Sequence, residues 1–598
     1  MRRIALGLIL AASFSLPGLA AEPDGPASLI TRTEAVRIAI QDRLAVKSMS
    51  DAAEQIALAE YYSLPGQRLL WVDETGLTAR GKAVMAEIAK ADDYGLRATD
   101  YDLPGVAGFN PADPGARDRL ADAEIKISAA VVEYAKDARG GRLEPLSLSK
   151  NLDPTLFLPN PAEVIAFIAI RSDPAAYLRS FQPSQPQFEA LRQKLLAARK
   201  GDAPVAAKPE IVVIPDGPLL KLGVDNPQVA LVRQRLKVPA EAGVKETRFD
   251  QGLLEAVRAF QIANGGSPDG MVGSGTRRML NGKSAPVRAS GREKIDLILA
   301  NMERWRWLPQ DLGPFYVNVN IPEFMVRVVK DGEKIHETRV VVGKTNKQTP
   351  IINDEMEEIV FRPNWYVPNS IKTEEIAPYL NRGGGGGFFG GGQDTSIFRR
   401  QDLRIRGVNG RDIDPDAIDW SRTDIRKYEL YQPPGPRNVL GLVKFRFPNT
   451  HDVYLHDTTQ KHLFSKAIRA ESHGCMRVQN PDQFASVLLG HDQGWTPGQV
   501  ASALNGYDDN HIALKQHIPV YLTYFTAVVD KDGVLKQYPD LYGHDRRVLA
   551  ALNGRAVPYD LPGNDEVAQQ TEQQPVYRRG RGRQDDGFNA ITRALFDF

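Results

Sequence analysis

The chain has 598 residues, of which 42% are apolar and 25% charged, and its formal net charge is +1. That length allows about three to four domains, and the composition is that of globular protein. The balanced charge excludes a global electrostatic case for binding nucleic acid or an anionic membrane. The single cysteine excludes an internal disulfide.

Residues 1–21 have the layout of a secretory signal peptide. Arg2 and Arg3 form a charged start, Ile4 to Leu16 an apolar run, and Pro17 to Ala21 a small-residue region, which predicts cleavage near Ala20 or Ala21. The apolar run is shorter than the roughly 20 residues a spanning helix needs, and no later segment comes close, so no membrane span is expected in the mature form. Export makes the lone cysteine informative. Such a residue is ordinarily an inert buried hydrophobe, but a free thiol in an oxidising compartment is a liability unless it does chemistry.

Residues 22–45 read as a polar lead-in and a short helix. From 45 to 200 the pattern is mainly helical. AAEQIALAEYYS and DRLADAEIKISAAVVEYAKDA carry apolar residues at helical spacing, and the stretch holds no histidine, so it is expected to be a helical scaffold domain. A Pro- and Ala-containing linker follows at 201–216. Residues 217–283 then form a compact unit whose segments NPQVALVRQRL, FDQGLLEAVRAFQIANG and SPDGMVGSGTRRMLN predict three helices with turns. Val232, Leu236, Ala256, Phe260, Gln261, Asp269-Gly270, Val272-Gly273, Thr276 and Leu280 give this unit a resemblance to the three-helix peptidoglycan-binding-like domain. The glycines suit positive-φ turns and Thr276 suits a helix start.

From about 288 to 545 the texture becomes mainly β, with alternation in FYVNVNI and FMVRVV and further strands in EEIVFRP, LVKFRFPN, DVYLHD and HIPVYLTYFTAVVD. Residues 369–437 read as an insertion in this domain. Its NRGGGGGFFGGG run lacks the Lys-Ser/Thr that a phosphate-cradling loop requires. It is expected to be a mobile flap, with Phe388 and Phe389 placed to cover a substrate. The tail, 565–598, has a disordered composition.

The stretch DVYLHDTTQKHLFSKAIRAESHGCMRVQNP, residues 452–481, concentrates the chemistry. Cysteine acyl transfer needs a thiol that can be deprotonated, an imidazole in reach, and donors for the developing oxyanion. Cys475 is the only sulfur nucleophile, and His456 ends a strand-like run. Ser472, His473 and Gly474 form a tight loop before the cysteine, and Arg477 adds positive charge that favours a thiolate or holds a substrate carboxylate. Asp457 is a weaker candidate than a backbone carbonyl for orienting His456, because adjacent strand residues point to opposite faces. Two readings compete with catalysis: a zinc site using His456, His473 and Cys475, whose spacing is unusual for zinc, and a purely structural role.

With His456 followed at 475 − 456 = 19 positions by Cys475 of Ser-His-Gly-Cys, and Arg477 two residues on, the stretch resembles the signature of YkuD-type L,D-transpeptidases. ERWRWLP at 303–309, VNIPEF at 319–324, VVVGKTNKQTP at 340–350, FRPNWYVPNSI at 361–371 and PVYLTYFTAVVDKDG at 519–533 extend the likeness to the large periplasmic, YcbB-like subgroup. The resemblance implies an α+β multidomain protein. It would have a mainly β catalytic domain of L,D-transpeptidase fold with a capping insertion, a helical scaffold and the three-helix domain. It implies that Cys475 is the nucleophile and His456 its base, with His473, Ser472 and Gly474 shaping the site. Arg477 would anchor substrate or brace the loop, and Trp365 and Tyr366 would line the donor groove, although an aromatic beside a sheet is more often core. The implied substrate is a peptidoglycan tetrapeptide stem, losing D-Ala as 3-3 cross-links form, with other cell-wall synthesis proteins as partners. No cofactor, metal or nucleic acid is implied, and the implied location is periplasmic. The same thioester would serve an L,D-carboxypeptidase or exchange enzyme. A non-catalytic peptidoglycan-binding protein is disfavoured by the intact motif.

Overall fold

In the computed structural model the region that follows the three-helix unit is organised by nine strands. These are β1 (Phe315–Asn320), β2 (Met325–Lys330), β3 (Glu333–Gly343), β4 (Ile352–Phe361), β5 (Val443–Arg446), β6 (Leu455–His456), β7 (Ala470–Ser472), β8 (Met476–Val478) and β9 (Asn510–Thr523). They hydrogen-bond in the order β7-β3-β8-β6-β5-β4-β9-β1-β2, and β2 also pairs with β3, so the sheet closes on itself. Most pairs are antiparallel; β6 with β8, β7 with β3, and β9 with β1 are parallel. Successive side chains alternate across a strand, so Val317, Val319, Val326, Val328, Val340 and Val342 all enter one core and are fully buried. Helix Pro481–Gln493 adds Phe484, Leu488 and Leu489 to that core. The next helix, Pro497–Leu504, starts on a capping box in which Thr496 and Gln499 satisfy each other's backbone donors.

The model describes residues 31–45, 52–64, 67–105, 112–200, 212–263, 270–281, 291–380, 394–407, 409–506 and 510–557. The proposed leader at 1–21, the glycine run with Phe388 and Phe389, and the tail at 565–598 lie outside them. Among the described residues no helix is long and apolar enough to cross a membrane.

The insertion between β4 and β5 has a core of its own. Strand Trp365–Tyr366 pairs with Glu429–Gln432, which pairs with Arg404–Arg406 and through it with Asp412–Ile413. Trp365, Ile376, Phe398, Ile405, Trp420 and Leu430 fill its interior. This body therefore reaches beyond the expected 369–437 at both ends, taking in Trp365 and Leu440.

Residues 217–283 form three helices, Pro227–Leu236, Gln251–Ala263 and Ser274–Leu280, around Val232, Leu253, Val257 and Leu280. Gln261 braces the turn before the third helix: its Oε1 accepts from Gly270 N (2.8 Å) and its Nε2 donates to Met271 O (2.9 Å). Gly270 has the expected positive φ, +71°, but Gly273 does not, at −88°. Thr276 is not the helix start either. Gly273 caps the helix, and Thr276 is buried, donating to Met271 O because the Gln261 side chain holds it there.

The described residues fall into two compact units: one holding those of 31–86, 102–132 and 161–175, and another those of 87–101, 133–160 and 176–557. The first is helical, with helices Arg32–Leu44, Ala53–Ser63 and Pro161–Ile170. Its buried Glu124 accepts from the backbone N–H groups of Leu70, Trp71 and Val72 and from the Tyr62 hydroxyl. Those four donors offset the cost of taking a carboxylate out of water.

Leu455 is fully buried in the core of the nine-stranded sheet and sits on the two-residue strand that carries His456. Leu455→Ala is expected to cost about 2–5 kcal/mol, read as a lower urea midpoint by tryptophan fluorescence. An unchanged midpoint would contradict this account of the core.

Candidate active site

Strand β6 lies between β5 and β8, with Lys444 opposite His456, Phe445 opposite Leu455, Leu455 beside Met476 and His456 beside Arg477. Phe445, Leu455 and Met476 are fully buried on the core face. The alternation then puts Lys444, His456 and Arg477 on the other face. One step back, Met476 N donates to Tyr454 O (3.0 Å), which sets Tyr454 beside Cys475 on that same face. The sheet thus brings Cys475, His456 and Arg477 together, and adds Tyr454 and Lys444.

The loop before Cys475 is held at each residue. Ser472 is buried; its Oγ accepts from Gly474 N (3.2 Å) and donates to Cys475 O (2.5 Å). Ser472 O accepts from Lys344 N (2.9 Å). Gly474 has φ +117°, a conformation L side chains rarely adopt. Its carbonyl accepts from Thr349 Oγ1 (2.6 Å), and that same oxygen accepts from Gly343 N (2.9 Å). The amides of His473 and Cys475 make no hydrogen bond among the described residues.

Cys475 is half-buried, and its Sγ lies 3.8 Å from Asp452 O, to which it donates. Burial pushes the thiol pKa up; Tyr454, Lys444 and Arg477 oppose that rise by favouring the thiolate. The Tyr454 pKa is raised well above normal, first by burial and then by the nearby Cys475 charge, so its hydroxyl stays a donor. Lys444 Nζ sits 4.1 Å from the Tyr454 ring centroid, and the Tyr454 and His456 rings meet edge to face at 5.6 Å.

His456 is 5% exposed, and its Nδ1 has no hydrogen-bond partner among the described residues. Burial, followed by the charges of Arg477, Lys444 and Lys461, pushes its pKa down to about 3, while the Asp457 main chain opposes the shift. The imidazole is therefore neutral at physiological pH. The Asp457 carboxylate does not orient it: Oδ2 accepts from Leu442 N (2.9 Å) and Oδ1 pairs with Lys461.

His473 turns to the insertion, with Nε2 2.8 Å from Glu375 Oε1. Among the described residues no three His, Cys, Asp or Glu side chains group as metal ligands. Arg477 is 5% exposed and bonds Gln460 Oε1; burial lowers its pKa to about 10. That position suits bracing and electrostatics rather than direct capture of substrate. Trp365 is 3% exposed within the insertion core, against which Tyr454 packs, so it supports the site from behind instead of lining a groove. Tyr366, its neighbour on the strand, faces the other way at 45% exposed, with Arg406 Nη1 3.4 Å from its hydroxyl.

Sequence reasoning misses Tyr454, Lys444, Thr349 and Glu375. Tyr454 was within reach, since it lies two residues before His456 and so on the same strand face. Lys444 needs the β5–β6 register. Nothing in the sequence points to Thr349 or Glu375.

Residues 314–499 match the model of the L,D-transpeptidase catalytic domain, YkuD. This is a YkuD-type L,D-transpeptidase domain. In the same chain as this transpeptidase domain, residues 225–280 match the family described as "Putative peptidoglycan binding domain" and residues 56–195 the "Scaffold domain" family. A Haemophilus influenzae protein described as "Putative L,D-transpeptidase" is 32% identical over 255 residues, or 42% of this chain and 49% of that protein. The chain thus spans about half the length of that relative. Among solved structures, an L,D-transpeptidase from Xylanimonas cellulosilytica is 15% identical, over 52% of this chain and 100% of that one, with a TM-score of 0.17. One from Enterococcus faecium is 12% identical, over 36% and 50%, with a TM-score of 0.15.

The raised thiol pKa means Cys475 is protonated at neutral pH and becomes reactive as pH rises. Its alkylation by iodoacetamide should inflect above the pH of an ordinary free cysteine. Tyr454→Phe should move the inflection higher still by removing a donor to the thiolate. An inflection below the ordinary value, or a downward shift in the variant, would contradict this electrostatic account.

Proposed function

We propose that the protein is a peptidoglycan L,D-transpeptidase acting through a thioester on Cys475. The reading is carried by Cys475 and His456 sharing one face of two adjacent parallel strands. In the first half-reaction the Cys475 sulfur attacks the carbonyl of the third residue of a tetrapeptide stem. The S–C bond forms, the C–N bond to D-Ala breaks, and the thiol proton passes through His456 to the departing amine. In the second, an amine on the third residue of a neighbouring stem attacks the thioester, the C–S bond breaks, and the 3-3 link forms. The surplus amine proton returns to the thiolate by way of His456.

The amides of His473 and Cys475 are the donors left for the oxyanion, since Ser472 occupies that of Gly474. A weakly basic neutral imidazole beside a protonated thiol favours proton transfer during attack over a preformed ion pair. Tyr454, Lys444 and Arg477 stabilise the charge as it develops on sulfur. We also propose that the protein works outside the cytoplasm, in the periplasm, because its substrate lies there. N-terminal sequencing of the exported protein would locate cleavage near Ala20 or Ala21.

Incubated with defined tetrapeptide muropeptides, the wild-type protein is expected to yield cross-linked dimer and D-Ala by mass spectrometry. Tripeptide without dimer would indicate hydrolysis, and a D-amino-acid adduct exchange; either result would replace the transpeptidase reading. Cys475→Ala should form no product while remaining folded, and full activity in that variant would end the nucleophile assignment. His456→Gln should lose about 10²–10⁴-fold in rate. Acylation should also slow in D2O, whereas a preformed ion pair would show no such slowing.

A further inference from the structure

The insertion opens with an irregular helix: an α-helical turn at Asn369–Ile371, a π-helical turn at Lys372–Ile376 and a second α-helical turn at Ala377–Leu380. Its inner side is anchored to the insertion. Ile371, Ile376 and Leu380 lie in that core, and the buried Lys372 donates to Tyr428 O (2.8 Å). Glu374 and Glu375 face outward and reach the two segments that build the nucleophile loop. Glu374 pairs with Lys347 (2.7 Å), in the turn whose Thr349 holds the Gly474 carbonyl. Glu375 pairs with His473 Nε2 (2.8 Å).

The two pairs differ in setting. Glu374 and Lys347 are 53% and 31% exposed, a surface pair of small energetic worth. Glu375 and His473 are 13% and 23% exposed, where a charge-assisted hydrogen bond is screened less. The backbone on either side of His473 is already pinned, through Ser472 O and through the Gly474 amide and carbonyl. The ring is held by Glu375. A carboxylate accepting from Nε2–H selects that tautomer and leaves Nδ1 as the lone-pair nitrogen of the neutral ring.

Resting on the reading of Cys475 as the acyl carrier, we propose that Glu375 is a positioning residue. Supplied by the insertion, it fixes the rotamer and tautomer of His473 next to the nucleophile. Seating of the insertion then sets the His473 ring on a loop whose backbone is already closed. The insertion thereby acts on acyl transfer through the His473 ring, while moving the thiol proton stays with His456.

The test uses the full chain with Glu375→Gln, Glu375→Asp and, as a control one residue away with the same charge change, Glu374→Gln. Transfer on tetrapeptide muropeptides and 15N spectra of the imidazoles are recorded for each. The chain has nine histidines, and His473→Gln assigns the signal of interest. Glu375→Gln should lower kcat about 10- to 100-fold with KM unchanged, and Glu375→Asp should restore part of it. Glu374→Gln should stay within about two-fold of wild type. The His473 nitrogens should change from a single-tautomer pattern to an averaged one in Glu375→Gln alone. Wild-type kcat in Glu375→Gln, or an unchanged His473 spectrum, overturns the proposal. If wild type makes no product although Cys475 alkylates, the transpeptidase reading fails, and the spectrum still decides whether Glu375 sets the tautomer.

Discussion

The register of Leu455–His456 against Met476–Val478 is the constraint from which the site follows, because strand side chains alternate and one face is committed to the core. Phe445, Leu455 and Met476 are apolar and fully buried, so burying them leaves Lys444, His456, Arg477, Tyr454 and Cys475 no face but the other. A slip of one residue would exchange the two sets, placing charge in the core and apolar side chains on the face that carries Cys475 and His456. The hydrophobic effect that holds the closed sheet together thus also puts Cys475 and His456 on one face.

Burial then decides their protonation. Both Cys475 and His456 are driven toward neutral forms by desolvation, and neighbouring cations act on them in opposite directions: they favour the thiolate and disfavour the imidazolium. The outcome is a neutral thiol and a neutral imidazole flanked by Tyr454, Lys444 and Arg477, groups that favour negative charge on sulfur. Arg477 contributes from a buried position, anchored by Gln460, rather than as a surface hook.

The insertion is a second folded body with its own sheet and core. It meets the site through groups of different kinds. Tyr454 packs against the insertion core that holds Trp365, and Glu375 reaches His473 from its outer side. Loop geometry at Ser472, Gly474 and Thr349 is independent of these contacts, being closed by hydrogen bonds within the catalytic domain.

The sequence by itself determined the local and periodic features. The helical scaffold pattern, the β alternation from Phe315 onward and the turn glycine at 270 are written in neighbouring residues, whose spacing carries the signal. Cys475 was legible as the proposed nucleophile because it is the only cysteine, and His456 as its proposed base because a fixed motif ties it to that residue. Only the tertiary structure decided what depends on partners distant in the chain. Trp365 became core because its strand joins Glu429–Gln432, some sixty residues on. Thr276 lost its capping place to Gly273 and became a brace for Gln261. Lys444, Thr349 and Glu375 joined the site through strand register, a loop carbonyl and the outer face of a π-helical turn, none of which has a local sequence period.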